Sequence, residues 1–116
     1  MSLTISAADQ AGHAVLVVAG ELDLATAPQL ADHALAVVES ASGDLVIDAS
    51  GLSFCDSSGL TAFVRVTNRL AEQGRRLAIA GPPPIVHRVL EISGLVEAIT
   101  VQDTVSEAIA ALAGKN

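Results

Sequence analysis

The chain has few aromatic residues and a single cysteine. Phe54 and Phe63 are the only aromatics in 116 residues of which 51% are apolar, so Val, Leu, Ile and Ala must form the core. Cys55 has no second cysteine to pair with, which fits a reducing compartment. No apolar run approaches the roughly 20 residues of a membrane span, and no basic signal-peptide region opens the chain. We therefore expect one cytoplasmic domain over residues 1–116.

Basic residues are also scarce. Six Lys and Arg stand against thirteen Asp and Glu, which gives a formal net charge of −7. This excess of negative charge argues against a nucleic-acid backbone or an anionic membrane surface as the partner. We expect a monomer or a weak dimer.

The motifs that would indicate an enzyme are missing. The chain contains neither G-x-x-x-x-G-K-[ST] nor G-x-G-x-x-G, and its histidines and Cys55 lack the spacing of metal ligands. Ser57 and Ser58 lack the G-x-S-x-G pattern of a hydrolase nucleophile, because Cys55 and Asp56 stand where the first glycine belongs. We predict no metal, no cofactor and no enzymatic activity. A serine hydrolase is the alternative from another class of function.

Hydrophobic periodicity predicts strands alternating with helices. The predicted strands cover residues 2–8, 13–19, 44–48, 76–80 and 96–101. Four helices are predicted. The first begins at Thr26, the second runs from the serines to about residue 73, the third covers residues 85–92, and the fourth runs from Thr104 to residue 112. Thr26 with Gln29, and Thr104 with Glu107, match the capping-box spacing. The fold class is therefore α/β, a single domain whose mixed sheet is mostly parallel with an N-terminal antiparallel hairpin, plus about four helices.

The segment 56–60, Asp-Ser-Ser-Gly-Leu, lies between a predicted strand and a predicted helix. Free backbone N–H groups and the positive end of the helix dipole meet at such a junction. The serine hydroxyls therefore suit either a helix N-cap or a position that carries phosphate. In a parallel sheet, the loop over residues 20–26 should adjoin this junction. The residues alone leave open whether Asp23, Asp56 and the serines are only caps and turn residues.

Three segments resemble the STAS domain family, and within it the bacterial anti-sigma factor antagonists. They are Gly-Glu-Leu-Asp at 20–23, Ala-Pro-Gln-Leu at 27–30, and the run from Val46 to Leu60 that ends in Asp-Ser-Ser-Gly-Leu. The resemblance extends over essentially the whole chain. It implies a small mixed sheet with helices packed mainly on one face. It also implies that Ser58 is phosphorylated, with Ser57 as the fallback acceptor.

The resemblance further implies a partner switch. The unphosphorylated protein binds an anti-sigma factor that is itself a serine kinase and supplies ATP and Mg²⁺, and the sigma factor is released. Phosphorylation of Ser58 ends this complex, and a serine phosphatase restores the unmodified protein. The alternative is a STAS scaffold without a switch, or a subunit of a lipid-transport or stressosome assembly.

The residues expected to contact the partner surround the acceptor. Asp23 and Asp56 correspond to acidic residues that the family places near it, and the exposed face of the following helix begins there. An ordinary solvated face, with Arg69 paired to Glu72, is an equally good interpretation of that helix. The expected contact residues are Glu21, Asp23, Asp56, Ser57, Gly59, Thr61 and Arg65.

Overall fold

The computed structural model describes residues 2–114, which form one five-stranded sheet in the order β1-β2-β3-β4-β5. β1 pairs with β2 in antiparallel orientation, and every other neighbouring pair is parallel. The predicted mixed sheet with an N-terminal hairpin is confirmed. The strands are β1 (Leu3–Gln10), β2 (His13–Leu22), β3 (Leu45–Cys55), β4 (Leu77–Ala80) and β5 (Thr100–Gln102).

Four helices cover the sheet: α1 (Ala27–Ser40), α2 (Ser57–Ala71), α3 (Pro84–Ile92) and α4 (Val105–Ala113). α1, α2 and α3 pack on one face, where Phe63 is fully buried against the strands. α4 packs on the opposite face through Ala108 and Leu112. The prediction that the helices lie mainly on one face is confirmed. Coverage on both faces explains the continuous apolar run at the start of β3.

β2 and β3 are longer than their apolar runs predicted. β2 continues to Leu22 rather than ending at residue 19, and β3 continues to Cys55 rather than ending at residue 48. The pairing shifts register twice in this stretch, and Gly51 lies where an added Cβ would be 2.8 Å from the Ala19 Cβ. Because the register shifts, apolar and polar residues no longer alternate along these strands, and the prediction relied on that alternation. The backbone hydrogen bonds between β2 and β3 nevertheless continue.

The final strand begins later than predicted. Gly94 has a left-handed φ of 81°, and a short 3-10 helix over Leu95–Glu97 follows it. β5 is therefore limited to Thr100–Gln102. The predicted strand over 96–101 was wrong for residues 96–99, because glycine allowed a turn that an apolar run does not reveal.

One of the two predicted capping boxes forms its N-cap hydrogen bond, while the Glu107 carboxylate accepts from the Thr104 hydroxyl at 3.0 Å instead of from the Thr104 amide. Thr104 accepts a hydrogen bond from the Glu107 amide at 3.1 Å, as the spacing predicted. Thr26 is at the N-cap position of α1, but its side chain makes no cap bond. Its hydroxyl instead donates to the Glu21 carbonyl at 2.7 Å, and Gln29 donates to the Leu3 carbonyl at 3.0 Å. The capping box predicted at Thr26 is wrong, because carbonyl groups outside α1 compete for the side chains of Thr26 and Gln29.

Candidate functional site

The candidate site lies where β2 and β3 end side by side. Leu22 and Cys55 pair across the parallel ladder, and the Asp56 amide donates to the Leu22 carbonyl at 3.1 Å. The loop that leads into α1 therefore adjoins the start of α2. The predicted proximity of the segments 20–26 and 54–59 is confirmed.

Asp56, rather than a serine, caps α2. Its Oδ1 accepts from the Ser58 amide at 2.8 Å and from the Gly59 amide at 3.4 Å. Ser57 and Ser58 are the first two residues of the helix. A carboxylate accepts these N–H groups and also pairs with the positive end of the helix dipole, which favours it over a hydroxyl. The interpretation of the serines as N-caps was wrong, and their hydroxyls make no protein hydrogen bond within residues 2–114.

The Ser58 hydroxyl is at the surface and not sealed in the core. Ser57 is exposed and Ser58 is partly exposed. Ser58 lines a groove with a volume of about 210 Å³ between the N-terminal halves of α1 and α2. The groove residues are Leu24, Ala27, Pro28 and Ala31 on the α1 side and Ser58, Thr61, Ala62 and Arg65 on α2.

The α1 wall of this groove was missed at the sequence level. Leu24 is 78% exposed, which is unusual for a large apolar side chain, and it lies in the loop before α1. Its position inside the predicted loop over residues 20–26, directly after Asp23, was the available signal. Periodicity marks residues that face the core, and Leu24 belongs to no periodic segment.

The two nearby acidic side chains each hold a turn. Asp23 Oδ1 accepts from the amides of Ala25 and Thr26, both at 3.0 Å, and Asp56 caps α2 as described. The interpretation of these residues as turn and cap residues is therefore confirmed. Both remain partly exposed, as does Glu21, so each still presents charge at the end of the sheet that carries Ser58. Their contact with a partner stays a prediction.

Gly59 and Cys55 lie beneath the serines. A Cβ on Gly59 would stand 2.7 Å from both the Cys55 Sγ and the Leu22 Cδ2, so glycine allows α2 to approach the strand ends. Cys55 is buried, and burial, reinforced by the charge of Asp56, raises the pKa of its thiol to about 11. Cys55 therefore serves as a small buried side chain at the end of β3.

Thr61 and Arg65 extend the site along α2. Both are exposed, and the Thr61 hydroxyl donates to the Ser57 carbonyl at 3.0 Å. One turn further on, Arg69 forms ion pairs with Glu39 at 2.8 Å and with the predicted partner Glu72 at 2.7 Å. Arg65 makes no ion pair with any residue in 2–114.

The surroundings of Ser58 differ from those of a metal site or a hydrolase site. No cluster of three or more His, Cys, Asp and Glu side chains that could hold a metal occurs within residues 2–114. No histidine lines the groove. Across the same residues, every helix is too short or too polar to cross a bilayer.

The site lies in a region of similarity to known proteins. A sequence model of the family described as "Mlab, STAS domain" matches residues 5–102. The anti-sigma-B factor antagonist of Staphylococcus aureus is 29% identical over 103 residues, which are 89% of this chain and 95% of that protein. The anti-sigma-F factor antagonist RsfB of Mycobacterium tuberculosis is 29% identical over 113 residues, or 97% of this chain and 92% of that protein.

A crystal structure with similar architecture is also known. It is an anti-sigma factor antagonist from Mycobacterium paratuberculosis, with a TM-score of 0.88 and 29% identity. The similarity covers 97% of this chain and 95% of that one. The shared fold therefore includes both loops of the candidate site.

Proposed function

The chain belongs to the STAS domain family, and we propose that it is an anti-sigma factor antagonist whose activity is set by phosphorylation of Ser58. In this role it is a regulatory protein and not an enzyme. Its unphosphorylated form binds an anti-sigma factor and so releases a sigma factor. The observation that carries the proposal is the partly exposed Ser58 at the start of α2, released from capping by Asp56.

The anti-sigma factor is proposed to be the kinase that modifies Ser58. The Ser58 Oγ attacks the γ-phosphorus of ATP, an Oγ–P bond forms, and the bond from that phosphorus to the β,γ-bridging oxygen breaks. ADP leaves, and the hydroxyl proton passes to a base of the kinase. ATP and Mg²⁺ belong to the kinase, which fits the absence of a phosphate-binding loop in this sequence. A phosphatase that hydrolyses the phosphoserine reverses the switch in the cytoplasm.

The charge of one phosphate is sufficient to end the complex. It adds about −1.5 to −2 charges at neutral pH. Two like charges about 4 Å apart repel by about 4 kcal/mol at an effective dielectric constant near 20. Half of that repulsion reduces an affinity more than tenfold. The phosphate would therefore oppose a partner that places a carboxylate against Ser58, such as the base that takes the Ser58 proton, even where the rest of the partner surface is positive.

Phosphorylation of single-serine variants tests the acceptor. The kinase is obtained by capturing partners from the source organism on the wild-type protein, and it is then incubated with ATP and each variant. We expect mass spectrometry to find phosphate on wild type and Ser57→Ala, and none on Ser58→Ala. Ser57→Ala is the matched control because it removes the neighbouring hydroxyl from the same helix turn.

Calorimetry tests the switch itself. Ser58→Ala should bind the kinase like the unmodified wild type, whereas phosphorylated wild type should bind at least about tenfold more weakly. Equal affinity of the two forms would contradict the switch. Absence of phosphate on both serines would favour a STAS scaffold that does not switch.

A further inference from the structure

A phosphoryl group on Ser58 would find two of the nearest helix amides already engaged. The Ser58 and Gly59 amides already donate to the Asp56 carboxylate. Asp56 and Asp23 also place negative charge beside the acceptor. A cation close to the phosphoserine would offset this repulsion more fully than the partly occupied N-terminus of α2.

Arg65 is the cation on the same helix face. Ser58, Thr61 and Arg65 are spaced three and four residues apart, and all three line the groove between α1 and α2. Side chains of a helix lean toward its N-terminus, so an Arg65 side chain in a usual helical rotamer is directed toward Thr61 and Ser58.

The other arginines near α2 are already engaged. Arg69 pairs with two glutamates. Arg75 donates to the carbonyls of Val38, Ala41 and Gly43, and Arg76 donates to the Leu112 carbonyl. Arg65 alone among these four has no hydrogen bond or ion pair with residues 2–114. It is therefore available to a new anion.

We propose that Arg65 binds the phosphoryl group of phosphorylated Ser58 and holds it in the groove between α1 and α2. This inference rests on the proposed function, since it assumes that Ser58 carries phosphate. It assigns Arg65 as a positioning residue for the modified state. A guanidinium can donate two hydrogen bonds to phosphate oxygens, which fixes the direction of the group as well as its charge.

The consequence is a steric contribution to the switch. In the unmodified protein, the apolar wall formed by Leu24, Ala27, Pro28 and Ala31 is open. A phosphoryl group held over Thr61 occupies the same groove. A partner side chain that enters the groove is then excluded by volume in addition to charge.

Phosphorus NMR tests the contact without the kinase. Phosphoserine is incorporated at position 58 during translation, and the second ionisation of the phosphate is followed by ³¹P chemical shift. An opposite charge within about 4–6 Å lowers the pKa of an acid by up to about 1–3 units. We expect Arg65→Gln to raise this pKa by at least about 0.5 unit relative to the wild-type background. Arg65→Lys should retain part of the effect, because it keeps the charge and loses the planar pair of donors.

Arg69→Gln is the matched control, because it removes one positive charge from the same helix one turn further away. It should leave the pKa nearly unchanged. Equal shifts in Arg65→Gln and Arg69→Gln, or no shift in either, would overturn the proposal. The ¹³C shifts of the Ala27 and Ala31 methyls give a second readout, and they should respond to phosphoserine less in Arg65→Gln. Because the phosphate is installed biosynthetically, a failed kinase assay rejects the proposed function while this titration separately decides the role of Arg65.

Discussion

At the scale of single residues, two small residues, Gly59 and Cys55, fill the region beneath Ser58. Gly59 allows α2 to touch the ends of β2 and β3, and Cys55 fills the space under that contact. Neither residue presents a side chain to the solvent. Their contribution to the site is therefore to set the height and angle at which α2 presents Ser58.

Gly59→Ala should destabilise the fold. The added methyl would stand 2.7 Å from Cys55 Sγ and from the Leu22 side chain, and overpacking of this kind costs about 1–3 kcal/mol. Urea unfolding measures the loss. Gly43→Ala is the control, since a Cβ there meets nothing within 4 Å, and it should be neutral or slightly stabilising. Equal stability of the two variants would show that α2 can move away without cost.

The Cys55 thiol should make stability depend on alkaline pH. Burial, and then the charge of Asp56, raises the pKa of this thiol from 9.0 to about 11 in the folded protein. The unfolded thiol therefore loses its proton first as the pH rises. Its contribution to stability is complete below pH 9.0 and is lost as the pH rises toward about 11.

Urea midpoints of wild type and Cys55→Ala at neutral and alkaline pH check this dependence. The wild type should lose more stability than the variant as the pH rises. The comparison is clean because the chain has no tyrosine and Lys115 is its only lysine. If both proteins lose stability in parallel, the thiol is not the group responsible.

At the scale of elements, α2 is fixed at its N-terminus by one carboxylate. Asp56 has the extended backbone of an N-cap, with φ −109° and ψ −168°, and its side chain accepts hydrogen bonds from two backbone amides. The C-terminal ends of α1 and α4 are held from outside, by Arg75 and Arg76 donating to their last carbonyls. These cations offset the negative ends of the helix dipoles. Helix ends in this fold are thus stabilised by neighbouring elements as well as by their own sequence.

Removing the Asp56 carboxylate should weaken the start of α2. Asp56→Ala is expected to cost about 1 kcal/mol, the usual effect of losing an N-cap, and Asp56→Asn should restore most of it. Urea denaturation measures both. Ser57→Ala is the control from the same turn and should be nearly silent. A larger loss in Ser57→Ala than in Asp56→Ala would mean that the serine caps the helix after all.

At the scale of the molecule, the sheet topology gathers negative charge at the carboxyl ends of the parallel strands. The parallel arrangement of β2 and β3 brings Glu21, Asp23 and Asp56 to the edge that carries Ser58. The chain as a whole carries a formal charge of −7. A partner that docks here is expected to present positive charge, because complementary fields accelerate encounter.

Association with the anti-sigma kinase should therefore slow as salt is added. Between about 0.1 M and about 1 M NaCl the Debye length falls from about 10 Å to about 3 Å, which screens long-range attraction. Stopped-flow measurements should show the association rate constant falling more than the dissociation rate constant changes. Glu21→Gln should slow association, whereas Glu97→Gln, which lies before β5 at the opposite edge, should not. An association rate that is independent of salt would exclude steering.

The sequence determined most of the local structure, since its periodicity and turn residues act over short distances. The N-terminal hairpin, the extent of α3 and the cap at Thr104 depend on neighbours within a few residues. The order of elements also led to a mostly parallel sheet, and the family resemblance implied helices mainly on one face. The resemblance carried by Asp-Ser-Ser-Gly-Leu singled out Ser58 as the acceptor.

Tertiary structure decided which atoms are free to act. The carbonyls of Glu21 and Leu3 accept hydrogen bonds from Thr26 and Gln29, so the predicted capping box does not form. The Asp56 carboxylate accepts the hydrogen bonds of the helix amides that a serine hydroxyl could have accepted. The groove beside Ser58 exists only because α1 and α2 pack side by side with Leu24 left exposed. The Leu3 contact and the groove depend on residues far apart in the chain, whereas the Glu21 and Asp56 bonds depend on the backbone geometry of short loops. Local periodicity carries no information about either.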